Sequence, residues 1–336
     1  MKFPKIAKMG AALAASALVL TGCGGADNGG SGDSGDTAGG DQNWADCTPG
    51  SEAKDVSGEE ADDNKEITIG AFNGWDESFA VSNLLKNKLE DDGYTVEIKA
   101  FDAGPGYTAV ANGDVDFLVD GWLPLTHADY IEKFGDKLEA QGCWYNNAKL
   151  TIAVNEDSKA KTIEDLKSMS GDYGNTIYGI EPGAGLSKAA KQAVEDYELS
   201  DMDLKLSSTP AMLAQLKKST ESGKDVAVTL WRPHWAYDAF PVRDLEDPKG
   251  VMGKAEVIYS FSSEGFGEQN PKVAQLLKNL VLDDEHLSSL ENVMFSEDNY
   301  GGEEQDKAAR EWMDDNKDWV EQWEKGELKG EPNPDA

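Results

Sequence analysis

Short apolar runs alternate with segments of helical periodicity along most of this 336-residue chain. The alternation falls into two clusters, near residues 66–150 and 153–256. Strands that alternate with helices are typical of parallel α/β sheets, because each crossover helix packs on one face of the sheet. We therefore predict an α/β fold with two lobes, lobe 1 starting with residues 66–152 and lobe 2 formed by residues 153–256.

The chain after residue 256 is expected to pack back on lobe 1. Residues 257–326 begin with a short strand and are then helical. The chain would therefore cross between the lobes twice, near residues 150–154 and 254–260. Three rings share one face of the predicted last helix: Trp312, Trp319 and Trp323. Rings at helical spacing are usually core residues, so we assign these three to packing rather than binding.

Residues 1–22 are typical of a secretory signal peptide. Three lysines stand among the first eight residues, and residues 9–20 form an apolar run that is too short to span a bilayer. The segment ends at residues 20–23 in a tetrapeptide, LTGC, which resembles the bacterial lipoprotein box, where the cysteine thiol is acylated. We predict a lipid anchor at Cys23, and a plain secretory signal with an incidental cysteine is the alternative.

The segment that follows the signal peptide predicts a flexible acidic tether. Residues 23–65 are rich in glycine, serine and aspartate and contain too few apolar residues to bury a core. The last ten residues, 327–336, are expected to be a disordered tail. Outside the cytoplasm the two remaining cysteines, Cys47 and Cys143, are expected to form a disulfide that pins the end of the tether to the body. A metal site is not expected, because neither cysteine has a histidine beside it.

Net charge and motifs exclude several function classes. The chain has 64 acidic and 31 basic residues, which gives a net charge of −33. Non-specific nucleic-acid binding and adhesion to anionic lipid both need a basic surface. The sequence also contains neither the G-x-S-x-G elbow nor the H-E-x-x-H zinc motif. A hydrolase could still use acids near strand ends, such as Asp76 and Glu181, and this reading stays open.

Three of the nine tryptophans follow predicted strands: Trp75, Trp122 and Trp231. Ligands of open α/β sheets bind beyond the carboxyl ends of the strands, so these rings are expected to converge at one site. Aromatic faces attract cations, and each face contributes about 0.5–2 kcal/mol. A quaternary ammonium suits such a cage, because it has no N–H to donate and its methyl groups are weakly hydrated. The pattern therefore favours a cage for a methylated ammonium group.

A glycine-rich turn predicts an anion site. Residues 181–186 follow a strand and lead into a helix, and the N-terminus of a helix presents free N–H groups and positive potential. The turn lacks the third glycine of a dinucleotide fingerprint. His127, five residues after Trp122, could donate a further N–H, with His234 as the competing candidate. A cation cage facing an anion site describes a short zwitterion as the ligand.

Four segments of the chain together resemble the glycine betaine-binding lipoproteins of osmoprotectant ABC importers. They are NGWDES (73–78), GWLPLTH (121–127), GIEPGAGL (179–186) and LWRPHW (230–235). The resemblance extends over residues 66–325 and implies a two-lobed periplasmic-binding-protein fold of the type II kind that closes on its ligand. It also implies the site residues: a cage of Trp75, Trp122 and Trp231, with His127 and the amides of Gly185 and Leu186 on the carboxylate. Leu186 stands where a β-branched residue is expected, which leaves its amide unaffected.

The function implied by the resemblance is capture without chemistry. We expect a monomeric receptor without a cofactor, lipid-anchored on the outer face of the cell membrane, that delivers its ligand to an ABC permease and its ATPase. Proline betaine, carnitine, choline and ectoine are alternatives to glycine betaine as the ligand. A lipid-anchored hydrolase and a surface adhesion protein are the alternatives from other classes.

Overall fold

The computed structural model describes residues 43–333. The predicted signal peptide, the predicted acylation site at Cys23 and the first part of the predicted tether lie outside the described residues. Among residues 43–333 no helix combines the length and the apolar character needed to cross a membrane.

The strands form one mixed sheet in the order β2-β1-β3-β9-β4-β7-β5-β6, with β8 paired to β4. Its strands are β1 (Glu66–Phe72), β2 (Thr95–Phe101), β3 (Phe117–Leu123), β4 (Leu138–Asn155), β5 (Thr176–Gly179), β6 (Asp203–Leu206), β7 (Ala227–Arg232), β8 (Val242–Asp244) and β9 (Glu256–Ser263). Parallel pairs lie toward the two ends of the sheet, where β1 joins β2 and β3, and β5 joins β6 and β7. Antiparallel pairs of β3, β4, β7 and β9 lie between them.

The long strand β4 divides the molecule into two halves. Its first part, from Leu138 to Ala148, pairs with β9, and its second part, from Lys149 to Asn155, pairs with β7 and β8. We call the part built on β1–β3 and β9 the first half, and the part built on β5–β8 the second half. The chain crosses from the first half to the second within β4 and returns before β9. The predicted α/β fold is confirmed.

The helices cover both halves. They are α1 (Asp76–Asp91), α2 (Ala103–Asn112), α3 (Ala128–Phe134), α4 (Leu166–Met169), α5 (Gly185–Asp196), α6 (Thr209–Glu221), α7 (Ala236–Ala239), α8 (Phe266–Gln269), α9 (Pro271–Asn279), α10 (Asp284–Phe295), α11 (Gln305–Asp315) and α12 (Lys317–Glu324). Side-chain caps start two of them: Ser208 accepts the Ala211 N–H before α6, and Asp283 accepts the His286 N–H before α10. Helices α10 and α11 pack on α1, and α9 packs on β4, so the end of the chain lies on the first half.

The last helical segment is broken, unlike the single helix from 303 to 325 that the periodicity predicts. Helix α11 ends at Asp315 and α12 begins at Lys317. The three tryptophans of this region are nonetheless core residues, each at most 6% exposed: Trp312, Trp319 and Trp323.

The segments that flank the body lie against the first half. A disulfide joins Cys47 to Cys143 on β4. Beyond it, the Val56 side chain is buried and its N–H donates to the Glu324 carbonyl. Residues 43–65, which composition assigns to the tether, are therefore held on the body in this structure. Residues 327–333, assigned to the disordered tail, also make hydrogen bonds: the Asn146 side-chain amide on β4 donates to the Glu331 carbonyl, and the Gly330 N–H donates to the Pro49 carbonyl near the disulfide.

Candidate functional site

The three predicted cage tryptophans stand at or just beyond the carboxyl ends of strands. Trp75 follows β1 and precedes the first residue of α1. Trp122 and Trp231 each occupy the last position but one of a strand, β3 and β7. The sequence placed the latter two beyond their strands, so both strands are longer than predicted.

One cavity lies where these rings meet. It has about 290 Å³ of empty space, part of which opens to solvent. All six predicted ligand-binding residues line it: Trp75, Trp122, His127, Gly185, Leu186 and Trp231. The first three come from the first half and the others from the second half, so the cavity lies in the cleft between the halves.

Trp75 is held by aromatic neighbours. Its ring stacks on His127 with centroids 5.4 Å apart and an interplanar angle of 9°. The Phe72 ring packs against it in a T-shaped arrangement, with centroids 5.0 Å apart. The ring is 7% exposed. This packing fixes one indole face as a wall of the cavity.

Trp122 is fixed by polar partners of its own half. Its indole Nε1 donates to Asp120 Oδ1 at 2.7 Å, and its backbone N–H donates to His127 Nδ1 at 3.0 Å. Asp120 is fully buried, and burial raises its pKa to about 7. The acceptor behind the ring thus sets the direction of the indole plane.

Trp231 is fixed from the opposite half. Its indole Nε1 donates to Glu77 Oε2 at 3.0 Å, and both side chains are buried. Burial, reinforced by repulsion from Asp120, raises the pKa of Glu77 well above its usual range. This hydrogen bond crosses the cleft.

His127 lines the cavity, and one of its ring nitrogens has no hydrogen-bond partner. Because Nδ1 accepts the Trp122 N–H, the neutral ring carries its proton on Nε2. Nε2 is buried and has no hydrogen-bond partner. Burial lowers the pKa of His127 to about 3, an effect that contact with the Asp120 carbonyl only partly offsets. At neutral pH His127 is therefore an uncharged donor.

The first turn of α5 supplies two more donors. Gly185 and Leu186 are its first two residues, whose N–H groups have no partner within a helix, and Ala184 before them has no side-chain acceptor. Gly185 also lies close to the first half, since a Cβ there would lie 2.3 Å from the Thr126 carbonyl oxygen. Only glycine permits this contact without moving the backbone.

The competing candidates lie elsewhere. His234 packs edge-on against Trp231, its Nδ1 accepts the Ala236 N–H, and its Nε2 lies 3.8 Å from Asp76 Oδ2. Of the two histidines, only His127 lines the cavity. Glu181 accepts hydrogen bonds from the backbone and hydroxyl of Thr209 and does not line the cavity either.

The substrate-binding domain model of ABC-type glycine betaine transport systems, OpuAC, matches residues 65–315. The chain belongs to this family. The resemblance that the four sequence segments carry is therefore confirmed at the level of the family.

Curated proteins match part of this chain. The glycine betaine/carnitine transport binding protein GbuC of Listeria monocytogenes is 36% identical over 165 residues, which are 48% of this chain and 53% of that relative. The chain spans about half the length of the curated relatives that it matches.

Solved structures of the family share the fold. Lactococcal OpuAC in its closed-liganded conformation with glycine betaine has a TM-score of 0.71 and 30% identity, covering 77% of this chain and 99% of that one. An ABC-transporter choline-binding protein in complex with choline has a TM-score of 0.69 and 25% identity, covering 77% and 91%. The two-lobed periplasmic-binding-protein fold is thus confirmed.

Sequence reasoning missed part of the cavity wall: Glu77, Thr126, Leu150, Ile180 and Ala184. Glu77 matters most for the chemistry, and it was visible only as one of two acids after Trp75. The other acid, Asp76, accepts the Trp235 indole N–H and lies outside the lining.

Proposed function

We propose that this protein is an extracytoplasmic solute receptor that captures glycine betaine in the cleft and delivers it to an ABC permease. The observation that supports this most strongly is the cavity itself. Three indole rings converge there with the unpartnered Nε2–H of His127 and the first amides of α5.

The cage accounts for the cationic end of the ligand. Three aromatic faces at about 0.5–2 kcal/mol each stabilise a trimethylammonium group without any hydrogen bond. Two of the indoles donate their N–H groups to Asp120 and Glu77, which keeps the ring faces directed at the cavity and places carboxyl oxygens behind them. A cation is therefore favoured over a neutral group of the same size.

The donor end accounts for the carboxylate. His127 Nε2–H and the amides of Gly185 and Leu186 are hydrogen-bond donors that suit an acceptor with two oxygens, and the α5 N-terminus adds positive potential. Choline lacks the carboxylate, so we expect it to bind more weakly than glycine betaine. Choline and carnitine are the competing ligands, because they appear in the names of similar proteins.

Delivery requires that the lobes close and reopen. We propose lobe 1 as residues 66–152 with 257–326 and lobe 2 as residues 153–256, closing around the ligand because each contributes walls to the cavity. The protein acts as a monomer, tethered by acylated Cys23, and the ligand leaves chemically unchanged. The hydrolase alternative is disfavoured because the two acids it would use, Asp76 and Glu181, each accept hydrogen bonds from protein groups outside the cavity lining.

An intrinsic-fluorescence titration of the purified full-length chain with glycine betaine tests the proposal. We expect a saturable change that is lost in Trp75→Ala and Trp231→Ala. Trp44→Phe is the matched control, because Trp44 packs on Tyr259 away from the cavity and should leave the affinity unchanged. Absence of a saturable response to glycine betaine, proline betaine, carnitine, choline and ectoine would contradict the proposal, and turnover of a glycoside or ester would support the hydrolase.

A further inference from the structure

Hydrogen bonds from the second half to acids of the first half join the two halves. Besides the Trp231–Glu77 bond, the Trp235 backbone N–H donates to Glu291 Oε2 at 3.0 Å and the Trp235 indole donates to Asp76. We call Asp76, Glu77 and Glu291 the carboxyl cluster. Its acids lie in the first turn of α1 and in α10. The groups that donate to them belong to Trp231, near the end of β7, and to Trp235, just after β7.

These acids have no cationic partner. Within residues 43–333, none of the three pairs with a lysine or an arginine. The imidazole nearest Asp76 belongs to His234, which is neutral because burial lowers its pKa to about 3. Glu77 is 2% and Glu291 0% exposed. The cross-cleft N–H groups are therefore important polar partners of buried carboxyls, which are costly to leave unpaired.

The Trp231–Glu77 hydrogen bond links the closure of the two halves to the position of a cavity wall. Trp231 is a ring of the proposed cage, and Glu77 itself lines the cavity. The bond can exist only while the two halves are in contact, since its donor and acceptor belong to different halves. When the halves separate, both groups are hydrated. The position of the Trp231 ring then no longer depends on Glu77.

We propose that Glu77 is a positioning residue for ligand capture, which holds the Trp231 indole in the cage through a hydrogen bond made only on closure. This rests on the proposed function, because it assumes that a cationic ligand occupies the cage. Glu77 contributes an acceptor oxygen to Trp231 rather than a formal charge to the ligand. Asp76 and Glu291 support the same closure by holding Trp235.

A double-mutant cycle read by calorimetry with glycine betaine tests the proposal on the full-length chain. The variants are Glu77→Gln, Glu77→Met, Trp231→Phe and the pair Glu77→Met with Trp231→Phe. Glutamine keeps an acceptor oxygen, so its affinity should stay within about threefold of wild type. Methionine has a similar size and no such acceptor, so the affinity of Glu77→Met should fall about tenfold. Phenylalanine lacks the indole N–H donor, so the affinity of Trp231→Phe should also fall about tenfold.

The decisive result is the coupling. The pair should bind no more weakly than the worse single variant, because the second change removes a bond that is already lost. Thermal melts of each variant show whether it folds. If Glu77→Met does not fold, the other arms still decide, since unchanged affinity in Trp231→Phe or a large loss in Glu77→Gln overturns the proposal.

Failure of this inference differs from failure of the proposed function. If wild type binds glycine betaine and the losses of the single variants multiply in the pair, Glu77 does not position Trp231. If wild type binds none of the quaternary ammonium compounds or ectoine, the proposed function is wrong. Small-angle scattering at saturating glycine betaine adds a readout of closure, in which Glu77→Gln should compact like wild type and Glu77→Met should compact less.

Discussion

Two turns of the molecule share a Trp-x-Pro pattern and a histidine but serve the cleft differently. In the first half the turn runs from Trp122 to His127, and in the second half from Trp231 to His234. In each, the histidine Nδ1 accepts a backbone N–H. Burial lowers the pKa of both histidines to about 3. Locally the two turns are built alike.

The difference lies in what each turn meets across the cleft. His127 comes five residues after its tryptophan and lines the cavity, next to the contact of Thr126 with Gly185. His234 comes three residues after its tryptophan and faces Asp76 of the carboxyl cluster. The longer turn thus carries the proposed ligand donor, and the shorter turn supplies contacts that join the halves.

A substitution at the contact between the first turn and α5 should have the largest effect on ligand affinity. Gly185→Ala places a Cβ where the Thr126 carbonyl oxygen now lies, so the halves must separate, and we expect affinity for glycine betaine to fall about a hundredfold or more. Gly183→Ala is the matched control, because a Cβ there meets no atom within 4 Å. Calorimetry on both variants checks this, and equal affinities would contradict the close approach.

Substitutions of the two histidines should affect the affinities for glycine betaine and choline differently. His127→Phe keeps a ring for Trp75 to stack on and removes the N–H donor to the carboxylate, so affinity for glycine betaine should fall about 10- to 100-fold while that for choline falls less. His234→Ala should change both affinities by a similar, smaller factor, because His234 does not line the cavity. Competition binding with both ligands measures this. A selective loss of glycine betaine in His234→Ala would reverse the assignment.

The carboxyl groups of Asp120 and Glu77, which accept the indole N–H groups of Trp122 and Trp231, should make the free energy of unfolding depend on pH. Burial raises the pKa of Asp120 to about 7 in the fold, against 3.8 for the free group, so its contribution to stability is lost as pH rises from about 4 to about 7. Asparagine does not titrate. Asp120→Asn should therefore gain unfolding free energy relative to wild type across this window, and Glu77→Gln should change in the same direction.

Denaturant unfolding at pH 4, 5.5 and 7 measures both differences. Curves for Asp120→Asn and wild type that stay parallel over this range would show that the buried carboxyl does not titrate there.

The convergence of Trp75, Trp122 and Trp231 on one cavity could be predicted from sequence, because a large ring at the end of a buried strand is in an unusual position. Their carboxyl partners could not. Glu77 and Asp120 each stand two residues from a cage tryptophan, but on a chain with 64 acids that spacing has no distinguishing value. Only the fold shows that these acids are buried and that one bond crosses the cleft.

The strand that joins the halves was also only half predicted. Residues 150–154 are mostly apolar and predict a short strand, but β4 begins at Leu138. Its first part pairs with β9 through three register shifts, which interrupt the alternation of apolar and polar residues. The break between α11 and α12 was missed because no proline or glycine marks it.

A crystal structure of the protein with glycine betaine tests the central claim most directly. We predict the trimethylammonium group between the rings of Trp75, Trp122 and Trp231, with the carboxylate within hydrogen-bond distance of His127 Nε2 and the Gly185 amide. A ligand bound outside this cavity, or with its carboxylate among the rings, would contradict the account.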